Sequence, residues 1–116
     1  MGHDIKVERL NSSILRELSL IFSKEFHDNE TMRSISVKEV RLTNDLSHAK
    51  VFYSHLIDSI SKEEVIEELK SKSKEVRHKL AGKVEMKFVP ELEFIYDESL
   101  SNANKIEEIL KNIKNK

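Results

Sequence analysis

Six apolar residues, Val84, Met86, Phe88, Leu92, Phe94 and Tyr96, fall on every second position of one stretch, with Glu85, Lys87, Glu91 and Glu93 among the residues between them. A period of two puts the apolar set on one face of a sheet and the charges on the other. The chain therefore has a sheet face to bury, and Phe88, Phe94 and Tyr96 are read as core. Pro90 stands in the same series and has no N–H to give to a strand ladder. The strand is expected to be bulged or broken there, or to lie at an edge of its sheet, the edge being the favoured reading.

Just upstream the period changes from strand to helix. Ser61 followed by Glu64 is a capping-box pattern that opens a helix through Val65, Ile66 and Leu69, and the same stripe continues through Ser73, Val76 and Leu80. Ser73 is a small polar residue on the inward face, so the helical stretch is expected to divide there into two helices. Gly82 ends it.

Charge is concentrated over the same residues. Residues 70–87 carry seven Lys and Arg against two Glu, although the whole chain has a formal net charge of −1. A basic stretch on an otherwise acidic chain is a footprint for polyanion contact, because counterion release depends on local phosphate contacts and not on total charge. On a straight helix Lys70, Lys74 and His78 project furthest from the apolar stripe, with Lys72, Arg77 and Lys79 on its flanks. These six are the candidate phosphate-contact residues. Arg9 is a further candidate, with a solvent-exposed or capping role as its alternative.

The remaining elements follow from the same rules. Leu10, Ile14, Leu18, Ile21, Phe22 and Phe26 form one apolar stripe on a helix over residues 5–26. It should end near His27, Asp28 and Asn29, with a loop to about Met32. Residues 33–43 read as a strand whose apolar face changes between Val37 and Val40, the mark of a bulge or strong twist. Asn44 and Asp45 supply turn chemistry, and residues 50–57 complete a hairpin. Ile106, Ile109, Leu110 and Ile113 make a short amphipathic C-terminal helix. The order is helix, strand, strand, helix, helix, strand, with a helical tail, an α+β fold in which a three-stranded sheet is covered on one face by helices. Residues 1–100 are expected to form one domain and residues 101–116 the tail.

Composition removes several function classes. The chain has no Cys, so there is no disulfide framework or thiolate metal site, and a reducing, cytoplasmic setting is expected. No apolar run is long enough to span a membrane, and the N-terminus lacks a secretory pattern. With Gly only at positions 2 and 82, a glycine-rich phosphate loop is excluded. His3, His27, His48, His55 and His78 lack ligand spacing, and no nucleophile elbow is present. Neither catalytic residues, a metal nor a cofactor is expected. The outer sheet face carries no aromatic pair for base stacking, so recognition is expected through shape and phosphate geometry.

Two segments are more specific. The residues from Asn44 through Asp45, Leu46, Ser47, His48, Ala49, Lys50, Val51 and Phe52 to Tyr53 resemble the DLSxAKVYVS segment of the bacterial ribosome-binding factor A family. Those from Val89 and Pro90 through Glu91, Leu92, Glu93, Phe94, Ile95, Tyr96, Asp97 and Glu98 to Ser99 are similar to its VPELxFxYDxS signature. Arg9 and Leu10, and the run Ile14, Leu15, Arg16, Glu17, Leu18, also resemble its first helix. The resemblance implies a type II KH-like domain that binds the immature small ribosomal subunit and its rRNA, assists late maturation and rRNA processing, and serves growth in the cold. It implies a cytoplasmic, monomeric, non-catalytic factor without a small-molecule substrate or membrane partner. The family often carries an Ala-x-Gly kink where this chain has Lys72, Ser73 and Lys74, which places two cations at the position expected to meet RNA. The alternative reading is a small intracellular protein-interaction domain whose Lys-rich helix is only a solvated face.

Overall fold

The computed structural model describes residues 5–98. Its first helix, α1 (Ile5–Leu20), runs directly into a π-helical turn over Ile21–Glu25. The physical reason lies in the spacing of the stripe. Leu10, Ile14, Leu18, Phe22 and Phe26 recur every four residues, and on a 3.6-residue helix that spacing drifts about 40° per step. The wider π turn, closed by the Phe26 N–H donating to the Ile21 carbonyl at 3.3 Å, takes up the drift. Ile21, Phe22 and Phe26 are all buried as a result.

The loop expected up to Met32 is instead a second short helix, α2 (Glu30–Arg33). Asn29 caps it, its Oδ1 accepting from the Met32 N–H at 3.1 Å, and Met32 is fully buried. Strands β1 (Ile35–Leu42) and β2 (His48–His55) then form the expected antiparallel hairpin. Val37 pairs with Tyr53 and Glu39 with Phe52, so Lys38 is the extra residue of a bulge, at the place where the apolar phase changes. Val40 and Leu42 thereby join the core with Ala49, Val51 and Tyr53. The Leu42 N–H, in an edge strand, donates to Asn11 Oδ1 of α1 at 2.8 Å.

Between β2 and the last strand lies one helix and not two. Helix α3 (Lys62–Leu80) is continuous for 19 residues, opened by the Ser61 side chain accepting from the Glu64 N–H. The expected division at Ser73 does not occur. The hydroxyl of Ser73 bonds back to the Lys70 carbonyl at 3.1 Å without interrupting the helix. With no glycine at positions 72–74, a left-handed turn would cost more than carrying the backbone ladder through. Gly82 follows with φ at 85° and ends the helical path, as expected.

The long alternating stretch is a strand only in its second half. β3 (Glu91–Tyr96) begins immediately after Pro90 and pairs in parallel with β2, giving the order β1-β2-β3 with β3 at an edge. Leu92, Phe94 and Tyr96 pack against the core, and Phe94 makes edge contacts with Phe22 and Tyr53. Residues 83–90 form turns and bends. Val84 is buried there, but Phe88 is 75% exposed, so its assignment to the core is corrected. Outside a ladder nothing enforces alternation of faces. The C-terminal helix expected over Ile106, Ile109, Leu110 and Ile113 lies outside the described residues.

Candidate nucleic-acid interface

Helix α3 buries Val65, Leu69, Val76 and Leu80 and turns Lys70, Lys74 and His78 to solvent. These three stand at i, i+4 and i+8, about 6 Å apart along the axis for each step. Among the described residues neither Lys70 nor Lys74 has a carboxylate partner. Their charges face water as an open row. Rows of this kind suit a phosphate backbone, since each lysine can replace a condensed counterion with no internal pair to break first.

Lys72 and Lys79 differ. The Lys72 ammonium lies 3.3 Å from Glu68, which also accepts from the Asn29 side chain at 2.6 Å. The Asn29 bond first and Lys72 second hold the Glu68 carboxyl below its ordinary range. Lys79 lies 3.3 Å from Glu25 and 3.8 Å from Glu75, and its ammonium sits 5.8 Å from the centre of the Phe26 ring. Glu25 also meets Lys83 at 3.6 Å, and its pKa is lowered by the Lys79 hydrogen bond and then by the Lys83 charge. These ion pairs, with the Asn29 bond, fasten α3 to the end of the first helical segment and to the cap of α2.

Arg77 has a structural partner set of its own. Its Nε donates to the Pro90 carbonyl at 3.1 Å and a terminal nitrogen donates to the Val89 carbonyl at 2.8 Å. The guanidinium thus clamps the chain entering β3 against α3, and its side chain remains exposed. Two shallow depressions meet at Lys74 and Arg77. One continues to His78, Ala81 and Val89, the other to Ser73, Glu91 and Phe94. Glu91 places a negative charge in the second, which favours the first for a polyanion. Arg9 sits apart on α1, in a depression with Ser12, Ser13 and Arg16 that shares no residue with these two.

Of the seven candidates, the fold thus gathers Lys70, Lys74 and His78 into one open row with Arg77 beside it, engages Lys72 and Lys79 in ion pairs, and leaves Arg9 elsewhere. The Glu68 and Glu75 pairings stand at i,i+4 and were legible in the sequence. The Glu25 pairing spans 54 residues and was not.

A Ser, a His and an Asp do meet in the hairpin turn, but in the wrong order for a nucleophile. Ser47 Oγ donates to Asp45 Oδ1 at 2.7 Å, and Thr43 donates to the same oxygen at 2.7 Å. The Ser47 proton is therefore directed at the carboxylate and not at His48, which touches Ser47 Oγ at 2.8 Å. The bonds from Ser47 and then Thr43 lower the Asp45 pKa to about 2. This is turn architecture. Among the described residues no group of three or more His, Asp or Glu could hold a metal ion, and no helix is long and apolar enough to cross a membrane.

The comparisons with known proteins agree with this fold. The family described as ribosome-binding factor A matches residues 6–110. A ribosome-binding factor A of Chlorobaculum tepidum is 38% identical over 95% of this chain and 92% of its own length. Among solved structures, the crystal structure of ribosome-binding factor A from Thermus thermophilus superposes with a TM-score of 0.67 at 22% identity, covering 80% of this chain and 97% of that one. A Thermus thermophilus homology model fitted into the cryo-EM map of a 30S–RbfA complex gives a TM-score of 0.63 at 24% identity, over 78% and 93% of the two chains. The likeness shows the KH-like fold that the sequence resemblance implied. With the family match running from the first helix past the last strand, the chain belongs to the ribosome-binding factor A family.

Proposed function

We propose that this protein is a non-catalytic assembly factor that binds the immature small ribosomal subunit in the cytoplasm, as a monomer, through the phosphate backbone of its rRNA. Lys70, Lys74 and His78 make the contact, Arg77 presents its remaining donors beside them, Lys79 holds α3 in place through Glu25, and Lys72 stays paired with Glu68 of its own helix. Arg9 is a peripheral contact. The factor assists late maturation and processing of small-subunit rRNA, a step that matters most in the cold. Continuous α3 docks as a rigid rod, where a kinked pair was expected.

The observation that carries this reading is the open row of Lys70 and Lys74 on a chain that is otherwise net acidic. The fitted 30S–RbfA relative supports the choice of partner. Co-sedimentation with immature small subunits over a range of salt concentrations tests it. Binding at low salt that weakens steeply as salt rises is expected. No co-migration at low salt, or binding indifferent to salt, would favour the interaction-domain reading with a merely solvated helix face.

A further inference from the structure

Phe88 is the one aromatic that alternation placed in the core and the fold turned outward, and it borders a cavity of about 390 Å³. Leu10 of α1, Leu46 of the hairpin turn and Met86 line the cavity with it. Scattered exposed apolar residues need no explanation, but a flat ring beside an apolar cavity forms a stacking platform. Two kinds of polar group share that lining. Lys6 and Lys87 bring positive charge, and Lys87 Nζ lies 5.6 Å from the centre of the Phe88 ring. Asp45, Ser47 and Glu85 bring oxygen acceptors.

Few ligands answer all three features. An apolar peptide has no use for the lysines and carboxylates together, and a free phosphate has no use for the ring. A nucleotide has a π face for Phe88, a phosphate for the lysines and base N–H groups for the oxygens. The carboxylate of Asp45 stays ionised well below neutrality. Its Oδ2 receives no hydrogen bond among the described residues. Position argues the same way. Phe88 is followed by Val89, which lines the depression shared by Lys74, Arg77 and His78. The two linings thus adjoin through consecutive residues of the chain.

We propose that the cavity receives one unpaired base of single-stranded RNA, stacked on Phe88, with its phosphate toward Lys87 and an exocyclic amino group toward Asp45, Ser47 or Glu85. Adenine, cytosine and guanine carry such an amino group and uracil does not, so uracil is disfavoured. The inference rests on the reading that the chain binds rRNA and adds to it a base-reading site outside α3.

The chain contains no Trp, so Phe88→Trp creates a single fluorescent reporter in the 116-residue chain. Titration at one fixed salt concentration with short oligoadenylate, oligocytidylate and oligouridylate should quench its emission saturably, more tightly for the first two. Phe88→Ala should bind oligoadenylate about 5- to 150-fold more weakly than wild type, the range for losing one base–aromatic stack. Its unfolding midpoint and salt slope should be unchanged, because phosphate contacts set the slope. Absence of quenching, wild-type affinity in Phe88→Ala, or an emission already blue-shifted before RNA is added would each overturn the site. The last result would mean that another part of the chain fills the cavity. Co-sedimentation separates the two readings: wild type and Phe88→Ala pelleting equally with immature subunits removes only the base site, whereas a wild type that does not pellet removes the assembly role.

Discussion

Arg77 on α3 and Val89 before β3 are joined by a 2.8 Å hydrogen bond from the guanidinium to the backbone carbonyl, and the same side chain reaches the neighbouring Pro90 carbonyl. A residue that the charge pattern marks as a polyanion contact is therefore also the clamp that positions the edge strand. Arg77→Ala is expected to destabilise the domain by about 1 kcal/mol, below the usual range for hydrogen bonds to charged groups because the side chain is exposed. Arg77→Lys should recover little of this, since an ammonium cannot reproduce the planar fork. Urea unfolding of both variants measures it, and a wild-type midpoint in Arg77→Ala would refute the clamp.

Lys70 and Lys74 are expected to separate from Lys72 and Lys79. Replacing the first two by Ala should leave the unfolding midpoint in place and make the slope of log affinity against log salt shallower by roughly one per lysine. Replacing Lys79 by Ala should lower the unfolding midpoint, because Glu75 loses its partner and Glu25 keeps only Lys83. The pair of measurements distinguishes binding cations from fastening ones.

Ser73 interrupts the apolar side of α3 and bonds back to its own helix. Ser73→Ala should stabilise the domain by about 0.5 kcal/mol through helix propensity, and Ser73→Gly should destabilise it by a similar amount. Thermal unfolding reads both. Stabilisation by Gly would mean that the helix prefers the kink.

The pH dependence has two ends. Burial, and then the neighbouring Tyr96, raise the Tyr53 pKa from 10 to about 12. The neutral phenol is the form the fold accommodates, so its contribution is complete below about pH 10 and is lost as pH rises toward 12. Asp45 behaves oppositely, with its pKa lowered from 3.8 to about 2. Its contribution to the hairpin turn is complete above pH 3.8 and is lost as pH falls toward 2. Tyr53→Phe should remove the alkaline loss, and Asp45→Asn should flatten the acid limb. Denaturant midpoints across the pH range check both.

His55 and Tyr96 give a last expectation. His55 Nε2–H donates to the Ile60 carbonyl at 2.6 Å, so Nδ1 accepts from the Tyr96 hydroxyl at 2.8 Å. Tyr96→Phe should cost about 1 kcal/mol by leaving Nδ1 unpaired. Chemical denaturation near neutral pH measures the loss.

Local period determined much of this protein. The apolar stripe of α1, the bulge at Lys38, the Ser61 cap, the Gly82 stop and the edge position of β3 each follow from which side of the backbone a residue must face, or from what one residue's backbone can adopt. The order of helices and strands was legible for the same reason, apart from the short α2 and the single α3. Phe88 and the Glu25 partner of Lys79 were not legible. Alternation carries meaning only where a ladder holds the chain, and residues 83–90 have none, so tertiary packing alone turned Phe88 outward. Likewise a lysine's spacing on a helix places it on a face, but whether a carboxylate from another element waits there depends on residues far away in the chain, as Glu25 is from Lys79. Through-space pairing divided the basic stretch into an open row and a set of fasteners.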